Sequence, residues 1–133
     1  MIEKMKKISI NSNFHTEFIN IDHHINKYIF EEKIINSILT IFIPHTTAGI
    51  TINENADPDV MSDMKIILDR MVPWTGQYAH AEGNSAAHVK TSMMGNSLQI
   101  IIEKGRMILG TWQSIYLCEF DGPRTRMIWI KEN

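Results

Sequence analysis

The chain has 133 residues, 44% of them hydrophobic and 21% charged, which fits one domain with a substantial core and argues against global disorder. A formal net charge of −2 supplies no broad positive field, so a general nucleic-acid-binding role is not expected. The single cysteine, Cys118, rules out an intramolecular disulfide and agrees with a reducing, cytoplasmic setting.

The opening MIEKMKKISINS carries lysines with no apolar stretch behind them, so no signal peptide is expected. MKKISI and FHTEFI alternate as two strands joined by a turn at NSN. IDHHINKYIFEEK changes period: Ile21, Ile25, Tyr28 and Ile29 share a helical face, Asp22 is placed as its N-cap, and His23 and His24 fall on the polar side. NSILTIFIPH is a strand stopped near Pro44, and AGITINEN is another beginning near Gly49. The apolar run in the first of these is far below the roughly 18 to 20 residues of a membrane span, so no membrane partner is expected.

DPDVMSDMKIILDRM predicts a second helix, with Asp57 as N-cap, Pro58 at the first helical position and an apolar stripe of Val60, Met64, Ile67, Leu68 and Met71. WTGQYAHAEG is a loop, and NSAAHVKTSMM a third helix closed by Gly95. SLQIIIEKG, RMILGTWQSIYLCEF and TRMIWIK are three strands, with turns at EKG and DGPR that suggest a terminal antiparallel meander. The whole chain, 1–133, thus reads as a single α+β domain: a two-sheet antiparallel β-sandwich of about seven strands with about three helices.

Polar residues gather at four element ends: PHTTAG, INENADPD, HAEGNSAAH and DGPR. Binding residues tend to occupy loops held by a rigid scaffold. If the third helix begins near Asn84 or Ser85, its free amides and dipole suit an anion such as phosphate. Gly83 allows close backbone approach, Asn84 and His88 share a face, and His80 enters from the preceding loop. The same residues suit a phosphorylated ligand, a divalent metal on neutral imidazoles, or an ordinary capped helix with one packed histidine. His45 follows a strand end, and Asn53 and Glu54 follow another. Arg124 in DGPR has the fork geometry for phosphate or carboxylate. The nine methionines fall largely on apolar faces as core filler, and Cys118 lies in a strand pattern where burial makes it inert.

The segments HTTAGITINENADPDV, HAEGNSAAHVKTSMMGNSL and LGTWQSIYLCEFDGPRTR, in that order, resemble the YjbQ family, members of which are catalogued as secondary thiamine-phosphate synthases. The resemblance runs from about Lys4 to Lys131. It implies a small α+β fold on a β-sandwich, assembled as a homotrimer, with a polar site where histidines gather. Carried onto this chain, that site takes His45, Glu82 and His88 as catalytic residues, and His45, His80 and His88 as ligands of a divalent ion, zinc or magnesium. Asn53, Asn84, Gln113, Glu119 and Arg124 are its ligand-binding residues, and Glu54 also matches a family position. Two departures, Ile101 for a proline and Ser114 for a glycine, concern strand geometry and spare the polar cluster.

The activity implied couples a pyrimidine methyl diphosphate to a thiazole phosphate, releasing diphosphate. Its demands are met by cationic or N–H groups that stabilise the departing oxygens, with Glu82 to orient the pyrimidine. Two alternatives stand beside it: a metal- or phospholigand-binding protein without efficient turnover, and a metal-dependent hydrolase of phosphate esters. In each the partner is a small phosphorylated molecule.

Overall fold

The computed structural model describes residues 5–133. Residues 1–4, which open the segment weighed as a signal peptide and include the first residue of the family resemblance, lie outside them. The chain runs β1 (Met5–Asn11), β2 (Glu17–Asn20), α1 (Asp22–Glu31), β3 (Ser37–Phe42), β4 (Ala48–Glu54), α2 (Pro58–Met71), α3 (Ser85–Met94), β5 (Ser97–Glu103), β6 (Arg106–Met107), β7 (Gln113–Glu119) and β8 (Thr125–Glu132). These form a five-stranded sheet in the order β1-β8-β3-β5-β6 and a three-stranded sheet in the order β2-β7-β4. Every pairing is antiparallel.

Alternation builds the layer between the sheets. Leu39 and Ile41 of β3, Ile100 and Ile102 of β5, and Ile128 and Ile130 of β8 are buried on one side of the larger sheet. They meet Ile50, Ile115 and Leu117 of the smaller sheet, and Ile21, Ile25, Tyr28 and Ile29 of α1 join the same core. The expected helical face of α1 is therefore the buried one. A second, smaller core lies between the smaller sheet and the other two helices, where Leu68 of α2 and Ala87 of α3 pack on Cys118 and Phe120. Gly49 is required there, because a Cβ would stand 2.6 Å from the Gly95 carbonyl oxygen.

Several expectations are corrected. The two strands joined at NSN lie in different sheets, and β7 does not belong to a terminal meander, since β1 pairs with β8 while β2 and β4 flank β7. The single strand expected over RMILGTWQSIYLCEF is two, one in each sheet, divided around Gly110, whose N–H donates to Gln113 Oε1 at 2.8 Å. Only the β5–β6 part of the meander exists, and its turn at Lys104 (φ 52°) and Gly105 (φ 73°) places both central residues at positive φ, as a two-residue hairpin loop demands. Asp22 does not cap α1; it accepts instead from Ser114 Oγ at 2.7 Å and Ile115 N–H at 2.8 Å. Asp57 does cap α2, accepting from Asp59 N–H at 2.9 Å. Of the α2 stripe only Leu68 is buried, while Ile67 and Met71 are exposed.

The sheet switching has one consequence for the site. Residues 12–16, 43–47 and 120–124 each carry the chain from one sheet to the other at the same end of the sandwich. Two of these crossings are laced together: Ser12 N–H donates to the Arg124 carbonyl and Gly122 N–H to that of His15, both at 3.0 Å. The Gly122–Pro123 peptide is cis.

Candidate functional site

The end of the sandwich where the three crossings meet is held by one buried ion pair. Arg126 sits on the inward face of β8 with Ile128 and Ile130, and Glu119 ends β7. Arg126 Nε donates to Glu119 Oε1 at 2.8 Å, and Nη2 to Oε2, to Thr47 Oγ1 at 2.8 Å and to the Thr47 carbonyl at 3.0 Å. Ser12 Oγ donates to Glu119 Oε1 at 2.6 Å, and Asp121 N–H to Oε2 at 3.0 Å. Burial pushes the Glu119 carboxyl up, but the hydrogen bonds from Arg126, Ser12 and Asp121 N–H outweigh it and hold the group below its ordinary value. Glu119 therefore lies beneath the surface with both oxygens engaged. It ties the three crossings together and does not itself face a ligand.

Above this base sits His45. Its Nε2 accepts from Met127 N–H at 2.8 Å, which in a neutral imidazole leaves the proton on Nδ1. Burial first, then the charges of Arg126 and Arg124 against the opposing pull of Glu119, move its pKa below the ordinary histidine value. The ring is therefore neutral near pH 7, with an Nδ1–H that no hydrogen bond claims among the described residues. His45, Thr46 and Asn96 form the shared wall of two adjoining recesses. One, about 470 Å³, reaches Arg124 and Arg126; the other, about 390 Å³, reaches His88 and Thr91 on α3.

Three of the expected residues, His45, His88 and Arg124, thus border this depression of two adjoining recesses, His88 in one, Arg124 in the other and His45 in both. Asn84, at the N-terminus of α3, donates from Nδ2 to Asp121 Oδ2 at 2.8 Å. Arg124 Nη2 donates to the same oxygen at 2.9 Å, and its Nε to the Asp121 carbonyl at 2.8 Å, so the guanidinium is braced while the side chain stays half exposed. Two buried polar atoms here, Asn84 Oδ1 and Thr91 Oγ1, have no hydrogen-bond partner among the described residues. Buried groups left in this way are uncommon in folded proteins and mark places where a ligand or water completes the set.

The remaining expected residues fall elsewhere. His80 and Glu82 are exposed on the loop before α3, with the His80 ring perpendicular to that of His88 and 5.3 Å from it. Asn53, Glu54 and Gln113 occupy the opposite end of the smaller sheet: Glu54 pairs with Gln113 where Ala48 pairs with Glu119, a separation of ~20 Å at the usual strand rise. There Asn53 Oδ1 accepts from Glu54 N–H at 2.8 Å, and Gln113 Oε1 accepts from Gly110. Ser114, one of the two departures, places a hydroxyl between Asp22 and the Asn55 amide, 2.7 and 2.6 Å away.

The three histidines do not make one metal-ligand set within this chain. His80 and His88 are neighbours, but His45 gives its Nε2 to Met127, and among the described residues no group of three or more His, Cys, Asp or Glu could hold a metal ion. Cys118 is fully buried and burial pushes its thiol far up, which removes it as a nucleophile.

Within DGPR only Arg124 stands out by its chemistry, yet Asp121 joins Arg124 and Asn84 and stands 3.9 Å from His15 Nε2; Arg126 and Ser12 lie outside the four polar clusters. One signal for Arg126 was present: in TRMIWIK it shares the alternating face of two isoleucines, where a charge requires a buried partner.

A family model described as UPF0047 protein YjbQ-like matches residues 6–132. The UPF0047 protein YugU of Bacillus subtilis is 50% identical over 128 residues, covering 96% of this chain and 97% of that protein. A UPF0047 protein of Methanocaldococcus jannaschii is 46% identical over 98% of this chain and 95% of its own length. Among solved structures, an uncharacterized conserved protein of the same family from Clostridium acetobutylicum superposes with a TM-score of 0.93 at 49% identity, covering 96% of this chain and 99% of that one. The chain belongs to the YjbQ/UPF0047 family.

Proposed function

We propose that this YjbQ/UPF0047 protein binds a phosphorylated small molecule in the depression bordered by His45, His88 and Arg124, and acts there as a thiamine-phosphate synthase-like transferase. The observation that carries the reading is the state of His45. With Nε2 taken by Met127 and the ring held neutral, it offers an N–H rather than a lone pair. Together with the braced guanidinium of Arg124, the wall is one of donors, which suits phosphate oxygens. In the coupling of a pyrimidine methyl diphosphate with a thiazole phosphate, negative charge grows on the departing diphosphate, and these donors stabilise it without rearranging. Glu82 and His88 are the remaining candidates for orienting the two rings.

The proposal includes assembly as a homotrimer in the cytoplasm. Ile38, Phe42 and Ile101 are exposed on the larger sheet, which supports self-association, and the unpaired thiol of Cys118 suits a reducing compartment. Among the described residues no helix is long and apolar enough to cross a membrane.

Purified protein supplied with both phosphorylated precursors should form thiamine phosphate, and His45→Ala and Arg124→Ala should each lower the rate by about 100-fold, as loss of one transition-state donor does. No product above a His88→Ala control overturns the transferase reading. Diphosphate binding that persists without product would instead establish a phospholigand-binding protein.

A further inference from the structure

His88 and Lys90 are two residues apart on α3, which turns them to nearly opposite sides of the helix. On the Lys90 side a separate cleft of about 810 Å³ opens between α2, α3, Trp74 and the crossing that contains Phe14 and His15.

Lys90 is the informative member. Its side chain is 3% exposed, whereas its partner Asp69 is 50% exposed. An ammonium has three N–H donors. Asp69 Oδ1 takes one, and among the described residues no other hydrogen bond to Nζ exists. The nearest further attraction is the Phe120 ring, its centroid 6.0 Å away. A cation withdrawn from water with donors unclaimed is costly unless something else meets them. Lys65 adds a second positive charge to the same lining, so two cations face one carboxylate.

The other wall is aromatic. Trp74 meets His15 edge to face at 4.4 Å and 87°, and Phe14 is largely exposed beside them. An aromatic surface in the same cleft as unbalanced cations matches a ligand with a flat ring at one end and negative charge at the other. A bare anion would leave the aromatic wall uncovered, and a neutral ring would leave the lysines unmet.

We propose that this cleft is a second binding site, for a planar heteroaromatic molecule bearing an anionic group, with the ring against Trp74 and the anion on Lys90 and Lys65. The assignment goes beyond the transferase reading and does not depend on it, because none of the cleft's lining residues borders the His45 depression.

Titration calorimetry of the full chain with pyridoxine 5′-phosphate tests it. Lys90→Met and Trp74→Leu should each weaken binding by about tenfold or more, and pyridoxine or inorganic phosphate alone should bind at least about tenfold more weakly than the joined molecule. In His45→Ala, which removes a donor of the other depression, the part of the binding that depends on Lys90 and Trp74 should persist. Lys65→Ala, a surface change, replaces Lys90→Met if that variant does not fold. Absence of binding overturns the proposal, as does binding that is lost in His45→Ala yet survives the lysine and tryptophan changes.

Discussion

Glu119 and Arg126 are both shut away from solvent, whereas Lys90 is buried against an Asp69 that stays half exposed. In the first pair every carboxylate oxygen has two donors, and the guanidinium also reaches Thr47. In the second, a single contact joins cation to anion, and the cation borders a cleft. A fully satisfied buried pair has nothing left to offer a ligand and serves as scaffold. A half-satisfied one retains donors, which is what a receptor needs.

The largest effect expected from this contrast comes from breaking the first pair. Arg126→Met leaves Glu119 as an uncompensated buried charge and should cost about 3–5 kcal/mol in urea denaturation. Acid probes the same pair more gently. Because the folded-state pKa of Glu119 lies below its ordinary value, the pair's contribution is present above the ordinary carboxylate range and is lost as pH falls through the folded pKa. A stability profile from neutral to acid pH should show that loss in the wild type, and it should be missing in Glu119→Gln.

The second pair should respond asymmetrically and less. Asp69→Ala strands the buried Lys90 and should cost about 1–2 kcal/mol, discounted because Asp69 is half in water. Lys90→Met removes the buried charge and leaves Asp69 half in water, and should change stability by less than about 1 kcal/mol. Equal costs for Asp69→Ala and Lys90→Met in thermal or urea unfolding would erase the distinction between scaffold and receptor.

The far end of the smaller sheet offers a further lesson. Asn53, Glu54 and Gln113 were expected beside His45 on the strength of the resemblance, yet they stand at the opposite end of β4 and β7. Resemblance names residues without saying which of them share a surface. Membership of one sheet end, and hence of one depression, depends on register, which the motifs do not carry.

Much was nonetheless legible in the chain alone. The apolar face of α1, the Asp57 cap and Pro58 start of α2, the span of α3 and the burial of Cys118 all follow from local periodicity and capping chemistry. The segments HTTAGITINENADPDV, HAEGNSAAHVKTSMMGNSL and LGTWQSIYLCEFDGPRTR, taken together, were enough to identify the family. What the tertiary structure decided was partnership: that β7 leaves the expected meander to lie between β2 and β4, that Asp22 serves Ser114 and Ile115 rather than its own helix, and that Glu119 faces Arg126 rather than a ligand. The physical reason is range. A helix cap or an alternating strand is settled by residues a few positions apart, but sheet order and the partners of a buried charge are set between residues as distant as Ser12 and Glu119, and no local pattern records that choice.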